Sequence, residues 1–243
     1  MDHALQGTRM NEHRPAPIVD LTFPHHWQAE ILSARPLILP NRHFVYPREA
    51  EEVERGALEV LIRLDSPDPV EGRADVLKGH DFSRADSAAK SAGALAPEGG
   101  LSRPSLKVHF APEFLATCAL GFRDAIVPTG LWSCPNPDEI CAVSGGYAYL
   151  IDTTAPDRFT MIAFRPVLEV RPLATMNLLL FVSHHAILAW SANGQTWQSE
   201  KLSDEGVTIT AIEAPHLHGL GWNMLADKDA SFTLDLRTGR RTA

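Results

Sequence analysis

From Phe114 to Thr242 the sequence consists of short runs of aromatic and β-branched residues, separated every few residues by turn-forming pairs such as Asn193-Gly194 and Thr238-Gly239. No run there repeats apolar residues with the period of a helix. The pattern therefore predicts a mainly β core domain over residues 113–243. Its predicted strands are 114–122, 140–144, 147–152, 159–164, 178–183, 186–191, 196–202, 207–213, 217–223 and 230–236.

The chain before this core is less regular. Apolar residues alternate with mostly polar ones after Gly56, which predicts a single strand at 57–65 that joins the core. Prolines recur between Ile18 and Tyr46 and preclude a long helix, so we expect an extended Pro-rich segment along the domain surface, with one short helix after Pro47. The remaining predicted segments are a flexible leader at 1–17 and a low-order linker or insertion at 66–112, rich in Gly, Ala, Ser, Pro and Asp.

Similar turns recur within the core. Ser144-Gly145-Gly146 and Ser183-His184-His185 lie 39 residues apart, and each precedes an apolar strand. A period near 40 residues is typical of propeller blades. The ending Leu234-Asp-Leu-Arg-Thr-Gly239 resembles the strand and turn that close blades of quinoprotein-like β-propellers, and the likeness covers about residues 127–240. Clean Trp-Asp and Gly-His signatures are missing.

The resemblance implies about three blades, fewer than the usual four to eight or so. We therefore expect a mainly β fold with antiparallel sheets in an incomplete propeller-like or sandwich-like arrangement. It implies no catalytic residues, because propellers carry many unrelated functions.

Charge and apolar content limit the classes of partner that the protein is expected to bind. The net charge of −8 argues against nucleic acid, which is bound by basic surfaces. The longest apolar run, Leu178 to Val182, is too short to span a bilayer, so we expect no membrane partner. The polar N-terminus lacks a signal peptide's apolar stretch, and the three cysteines, expected to be buried thiols, do not form a disulfide framework. These features favour the cytoplasm.

The histidines suggest one chemical site. His216 and His218 are two positions apart on a predicted strand, so both imidazoles face the same side and could share a divalent transition metal. Further ligands would come from His184, His185, Asp227 or Asp229. Alternatively, both histidines face solvent or satisfy turn carbonyls.

A second group suggests a binding surface. Trp132 leads into a loop held stiff by two prolines, in which Pro135, Asn136 and Asp138 could contact a partner. Trp190 and Trp222 could add aromatic contacts. The alternatives are a simple rigid turn and tryptophans that pack the core.

Three functions follow from these patterns. The first is a non-enzymatic β-scaffold that binds a protein partner and needs no cofactor. The second is a metal-assisted hydrolase or small-molecule enzyme centred on His216 and His218. The third is a homodimer that pairs exposed edge strands.

Overall fold

A computed structural model describes residues 16–50, 58–65, 112–124 and 126–242. Most of the predicted leader at 1–17 and of the predicted linker or insertion at 66–112 lies outside these residues. The described residues are mainly β, as predicted, with two 3-10 helices, η1 (Arg48–Ala50) and η2 (Ala174–Met176). The strands are β1 (Ile18–Asp20), β2 (Trp27–Leu32), β3 (His43–Tyr46), β4 (Leu58–Leu64), β5 (Glu113–Cys118), β6 (Gly130–Ser133), β7 (Glu139–Ser144), β8 (Tyr147–Asp152), β9 (Phe159–Met161), β10 (Glu169–Leu173), β11 (Leu178–Val182), β12 (Ile187–Ser191), β13 (Gly194–Gln198), β14 (Val207–Glu213), β15 (His216–Asn223) and β16 (Lys228–Asp235).

These strands form four sheets, and none closes into a barrel within the described residues. The first sheet has the order β2-β4-β5-β3, the second β1-β6-β7-β8-β9, the third β10-β11-β12-β13 and the fourth β14-β15-β16. Neighbouring strands are antiparallel except at two edges, where β3 runs parallel to β5 and β1 parallel to β6. The second, third and fourth sheets are therefore meanders of consecutive strands, and the second is extended at one edge by β1 from the N-terminal segment.

Three apolar clusters lie between consecutive sheets. Trp27, Ile62 and Tyr149 belong to the cluster of the first and second sheets. Leu150 and Phe181 belong to that of the second and third, and the third and fourth sheets share the last cluster. The second and third sheets are consequently buried on both faces. This burial explains why β11 is a continuous apolar run, Leu178 to Val182, and does not alternate with polar residues.

Each strand predicted from residue 57 onward has a counterpart, with ends that differ by a few residues. The Ser144-Gly145-Gly146 turn joins β7 to β8 as a tight hairpin, with φ of +48° and +76° at its glycines. The short helix after Pro47 is η1. All three cysteines are buried free thiols, as predicted.

The N-terminal segment differs from the prediction of one strand within 18–65. It contributes β1, β2 and β3 as well as β4, because its prolines fall between the strands and leave their backbone donors free for pairing. Two core strands were also missed, β6 and β10. Pro172 lies within β10, which tolerates it because β10 is an edge strand of the third sheet.

Candidate functional site

The predicted histidine pair lies on β15 in the fourth sheet. His216 and His218 occupy the same face, with ring centroids 6.5 Å apart, as the spacing predicted. His216 lies between Glu213 and Asp235 in the strand register, while the Nδ1 atom of His218 lies 3.0 Å from the Thr233 hydroxyl. Across the described ranges, however, no group of three or more His, Cys, Asp or Glu side chains could hold a metal ion.

The predicted binding loop is only partly exposed. Trp132 is 2% exposed and packs in the cluster between the second and third sheets, and Pro135 is also buried. The Asn136 side-chain oxygen accepts a hydrogen bond from the Asp138 amide, and the Asp138 carboxylate lies 3.1 Å from Nδ1 of His26. The loop therefore offers mainly Asn136 and Asp138 to solvent.

The two remaining predicted tryptophans lie on β12 and β15. Trp190 is buried on β12, and its indole nitrogen donates to the Glu139 carboxylate over 3.1 Å. Burial raises the pKa of Glu139, although the hydrogen bonds from Trp190 and Asn136 oppose the shift. Trp222 is half-buried on β15, opposite Asp229 in the register. Trp132 and Trp190 thus lie in the same buried cluster beside the loop, whereas Trp222 lies on the fourth sheet, so the predicted binding residues form no common exposed surface.

A pocket that the sequence analysis did not anticipate lies where β3 meets the loop between β8 and β9. Its volume is about 510 Å³. Cationic and polar side chains dominate its lining, which comprises Arg35, His43, Phe44, Val45, Tyr46, Arg48, Pro156 and Asp157. The size lies within the usual range for small-molecule pockets, roughly 300–1,000 Å³.

Two contacts hold the wall of this pocket together. The Tyr46 hydroxyl donates to the Pro156 carbonyl over 2.8 Å, and burial raises the pKa of Tyr46, which keeps the hydroxyl protonated as a donor. Nη2 of Arg48 lies 2.5 Å from the Asp157 carboxylate, in an ion pair that is largely exposed on both sides. Asp157 occupies one donor of Arg48, and a guanidinium has five.

Behind the pocket, His43 is the first member of a hydrogen-bond chain. Its Nε2 atom lies 2.8 Å from the Thr117 hydroxyl, which donates to the Glu59 carboxylate over 2.6 Å. Thr117 and Glu59 are 4% and 5% exposed and face each other across β4 and β5. Since the single hydroxyl proton of Thr117 points to Glu59, Nε2 of His43 must carry a proton and donate it to the hydroxyl oxygen.

The surroundings of His43 determine the protonation state of its imidazole. Burial lowers the pKa of His43, the charge of Arg35 lowers it further, and Glu59 opposes the shift. At neutral pH the imidazole is therefore uncharged, with its proton on Nε2 and a lone pair on Nδ1. Among the described residues, Nδ1 of His43 has no hydrogen-bond partner, so it can accept a hydrogen bond from a ligand.

The residues that line the pocket are spread between positions 35 and 157 of the sequence, so no local sequence motif identifies the pocket. The one signal in the sequence is that residues 33–48 contain three arginines and neither aspartate nor glutamate, within a chain of net charge −8. Comparison with family models, with curated proteins and with solved structures found no match to this chain. No helix among the described residues is long and apolar enough to cross a membrane.

Proposed function

We propose that this protein is a non-enzymatic binding module, a stack of blade-like β-sheets whose first sheet carries a pocket for the anionic group of a ligand. The observation that carries the proposal is that Arg35 and Arg48 line one pocket together with a neutral His43. Guanidinium groups favour phosphoryl and carboxylate oxygens, because their planar N–H donors match two oxygens at once.

His43 would add selectivity to this pocket. Its pKa is lowered, so it contributes a lone pair on Nδ1 and no third positive charge beside the two arginines. A ligand that carries a hydroxyl or a protonated acidic oxygen next to its anionic group would donate to that lone pair. The proposed ligand is therefore a phosphoryl or carboxylate compound with a neighbouring hydrogen-bond donor.

Calorimetric titration with pyrophosphate tests this proposal, because two arginines can share its oxygens. We expect saturable binding of one pyrophosphate to the native chain and a loss of affinity of at least about tenfold in an Arg35→Gln, Arg48→Gln variant, since hydrogen bonds to charged groups contribute roughly 1.5–3 kcal/mol. Arg63→Gln is the matched control, because Arg63 is an exposed arginine on the same sheet, ion-paired with Glu113. Absence of binding, or equal losses in both variants, would refute the proposal.

The protein partner, the homodimer, the cytoplasmic location and the metal-assisted enzyme stay predictions from the sequence. A protein partner would add contacts around the same pocket, and sedimentation at several concentrations tests the proposed homodimer. The cytoplasm stays the proposed location. Elemental analysis of metal in protein purified without chelator tests the alternative enzyme centred on His216 and His218.

A further inference from the structure

The loop between β2 and β3 presents aliphatic side chains to water at its tip. Leu37 and Ile38 are 104% and 88% exposed, and Leu39 beside them is also exposed. Pro36 and Pro40 flank these three residues and restrict the backbone of the loop. Contiguous exposed apolar groups of this kind mark contact sites, whereas single exposed ones do not.

The same loop carries part of the positive charge of the pocket, and η1 carries the rest. Arg35 precedes the apolar tip and lines the pocket, Arg42 follows the tip, and Arg48 completes the cationic wall. Among the described residues that line the pocket, Asp157 is the acidic one. The tip therefore projects beside a cationic site, in a protein whose overall charge is negative.

We propose that this face binds the surface of an anionic membrane, with a lipid phosphate in the Arg35–Arg48 pocket and Leu37 and Ile38 inserted at the headgroup boundary. The inference rests on the proposed function of the pocket. Surface binding of this kind combines buried apolar area with attraction to anionic lipids. It needs no spanning segment, so the proposal replaces the prediction of no membrane partner, which depends only on the length of the longest apolar run. Each cationic side chain near such a surface strengthens binding about fivefold.

The shape of the tip favours a membrane over a peptide partner. A peptide would be received by a groove or along a strand edge. Leu37 is fully exposed, so no side chain in the described part of the chain forms a groove against it. A convex aliphatic tip beside arginines matches the boundary between headgroups and acyl chains, where both kinds of side chain find partners.

The chain supplies a matched control at the turn between β15 and β16. Met224 and Leu225 are 66% and 99% exposed there, so this turn offers an apolar tip of similar exposure. Acidic groups outnumber basic ones around it: the Asp204 carboxylate accepts a hydrogen bond from the Met224 amide and pairs with Lys201, and Asp227 and Asp229 flank Lys228. Attraction to anionic lipid is therefore weaker at this second tip than beside the arginines.

Co-sedimentation of the full chain with vesicles tests the inference. We expect the native chain to pellet with vesicles of phosphatidylcholine that contain about one third phosphatidylserine, to stay in solution with phosphatidylcholine alone, and to be released by added salt. Leu37→Ser, Ile38→Ser should lower vesicle affinity at least about tenfold yet keep the pyrophosphate affinity of the native chain. Met224→Ser, Leu225→Ser should bind vesicles like the native chain.

Different failures separate the two proposals. If pyrophosphate binds but the native chain ignores anionic vesicles, or if the Leu37→Ser, Ile38→Ser variant pellets like the native chain, the membrane inference is wrong and the anion pocket stands. If pyrophosphate does not bind in the calorimetric titration, the pocket itself is refuted.

Discussion

The Nε2 atom of His43 lies 2.8 Å from the Thr117 hydroxyl, which in turn donates to the carboxylate of Glu59. The chain of contacts crosses β3, β5 and β4, so the edge strand that lines the pocket is tied to the interior of the first sheet. Since Glu59 is buried, its carboxylate needs this donor. This hydrogen-bond chain thus links the stability of the sheet to the protonation state of His43, which lines the pocket.

Replacement of Thr117 should show how much this hydrogen-bond chain contributes to the free energy of unfolding. Thr117→Val keeps the shape of the side chain but leaves the buried Glu59 carboxylate without its hydroxyl donor. We expect the free energy of unfolding to fall by roughly 1–3 kcal/mol, measured by urea denaturation. Thr117→Ser restores the hydroxyl and should recover most of that loss; equal losses in the two variants would show that the hydroxyl is not what matters.

Acidification should destabilise the protein through His43. The folded-state pKa of His43 lies below its ordinary value of 6.5, so its contribution to stability is full above 6.5 and is lost as the pH falls through the folded-state pKa. His43→Gln keeps a side-chain N–H near the position of Nε2 and cannot titrate. We expect the Tm of this variant to fall less than that of the native chain when the pH is lowered from 7 to below 6.5. Equal falls in Tm would contradict the lowered folded-state pKa of His43.

Asp157 should weaken anion binding, because it already occupies a donor of Arg48. Asp157→Asn removes the competing negative charge and keeps the side-chain size. The expected result is a higher affinity for pyrophosphate in calorimetry, by a few-fold given the exposure of the pair. An unchanged or lower affinity would mean that the anion does not approach Arg48 from the side of Asp157.

Glu139 should cost stability at neutral pH. Burial raises its folded-state pKa above the ordinary 4.5, so the group favours folding below 4.5 and this contribution is lost as the pH rises through the folded-state pKa. Glu139→Gln removes the charge and retains an oxygen that accepts from the Trp190 indole. We predict a higher Tm at pH 7 and a smaller difference at pH 4, by scanning calorimetry. A lower Tm at pH 7 would show that the ionised carboxylate stabilises the fold.

Much of the fold could be predicted because most strands of the core are local patterns. The alternation from Leu58 to Leu64 and the turn at Asn193-Gly194 depend only on neighbouring residues. Strand β10 could not be predicted, since Pro172 within it is tolerated only at a sheet edge, and edges are defined by tertiary structure. The sequence predicts the N-terminal strands only as extended segments for a similar reason, because their pairing partners lie far along the chain.

The candidate site was much harder to predict. His216 and His218 share a face because strand periodicity guarantees it, yet nothing in the spacing brings them a third ligand. The sequence predicts that the tryptophans contribute to a binding surface, but Trp132 and Trp190 fill the core between sheets that are buried on both faces. Arg35 and Asp157 line one pocket only because β3 pairs with β5 and the β8–β9 loop packs beside it.

Nuclear magnetic resonance of the histidine imidazoles during a pyrophosphate titration tests the central claim most directly, because His43 lines the pocket while His216 and His218 lie on another sheet. The account predicts that the His43 signals move saturably, that the other two do not, and that the movement is lost in the Arg35→Gln, Arg48→Gln variant. A stationary His43 signal, or equal movement of all three histidines, would contradict it.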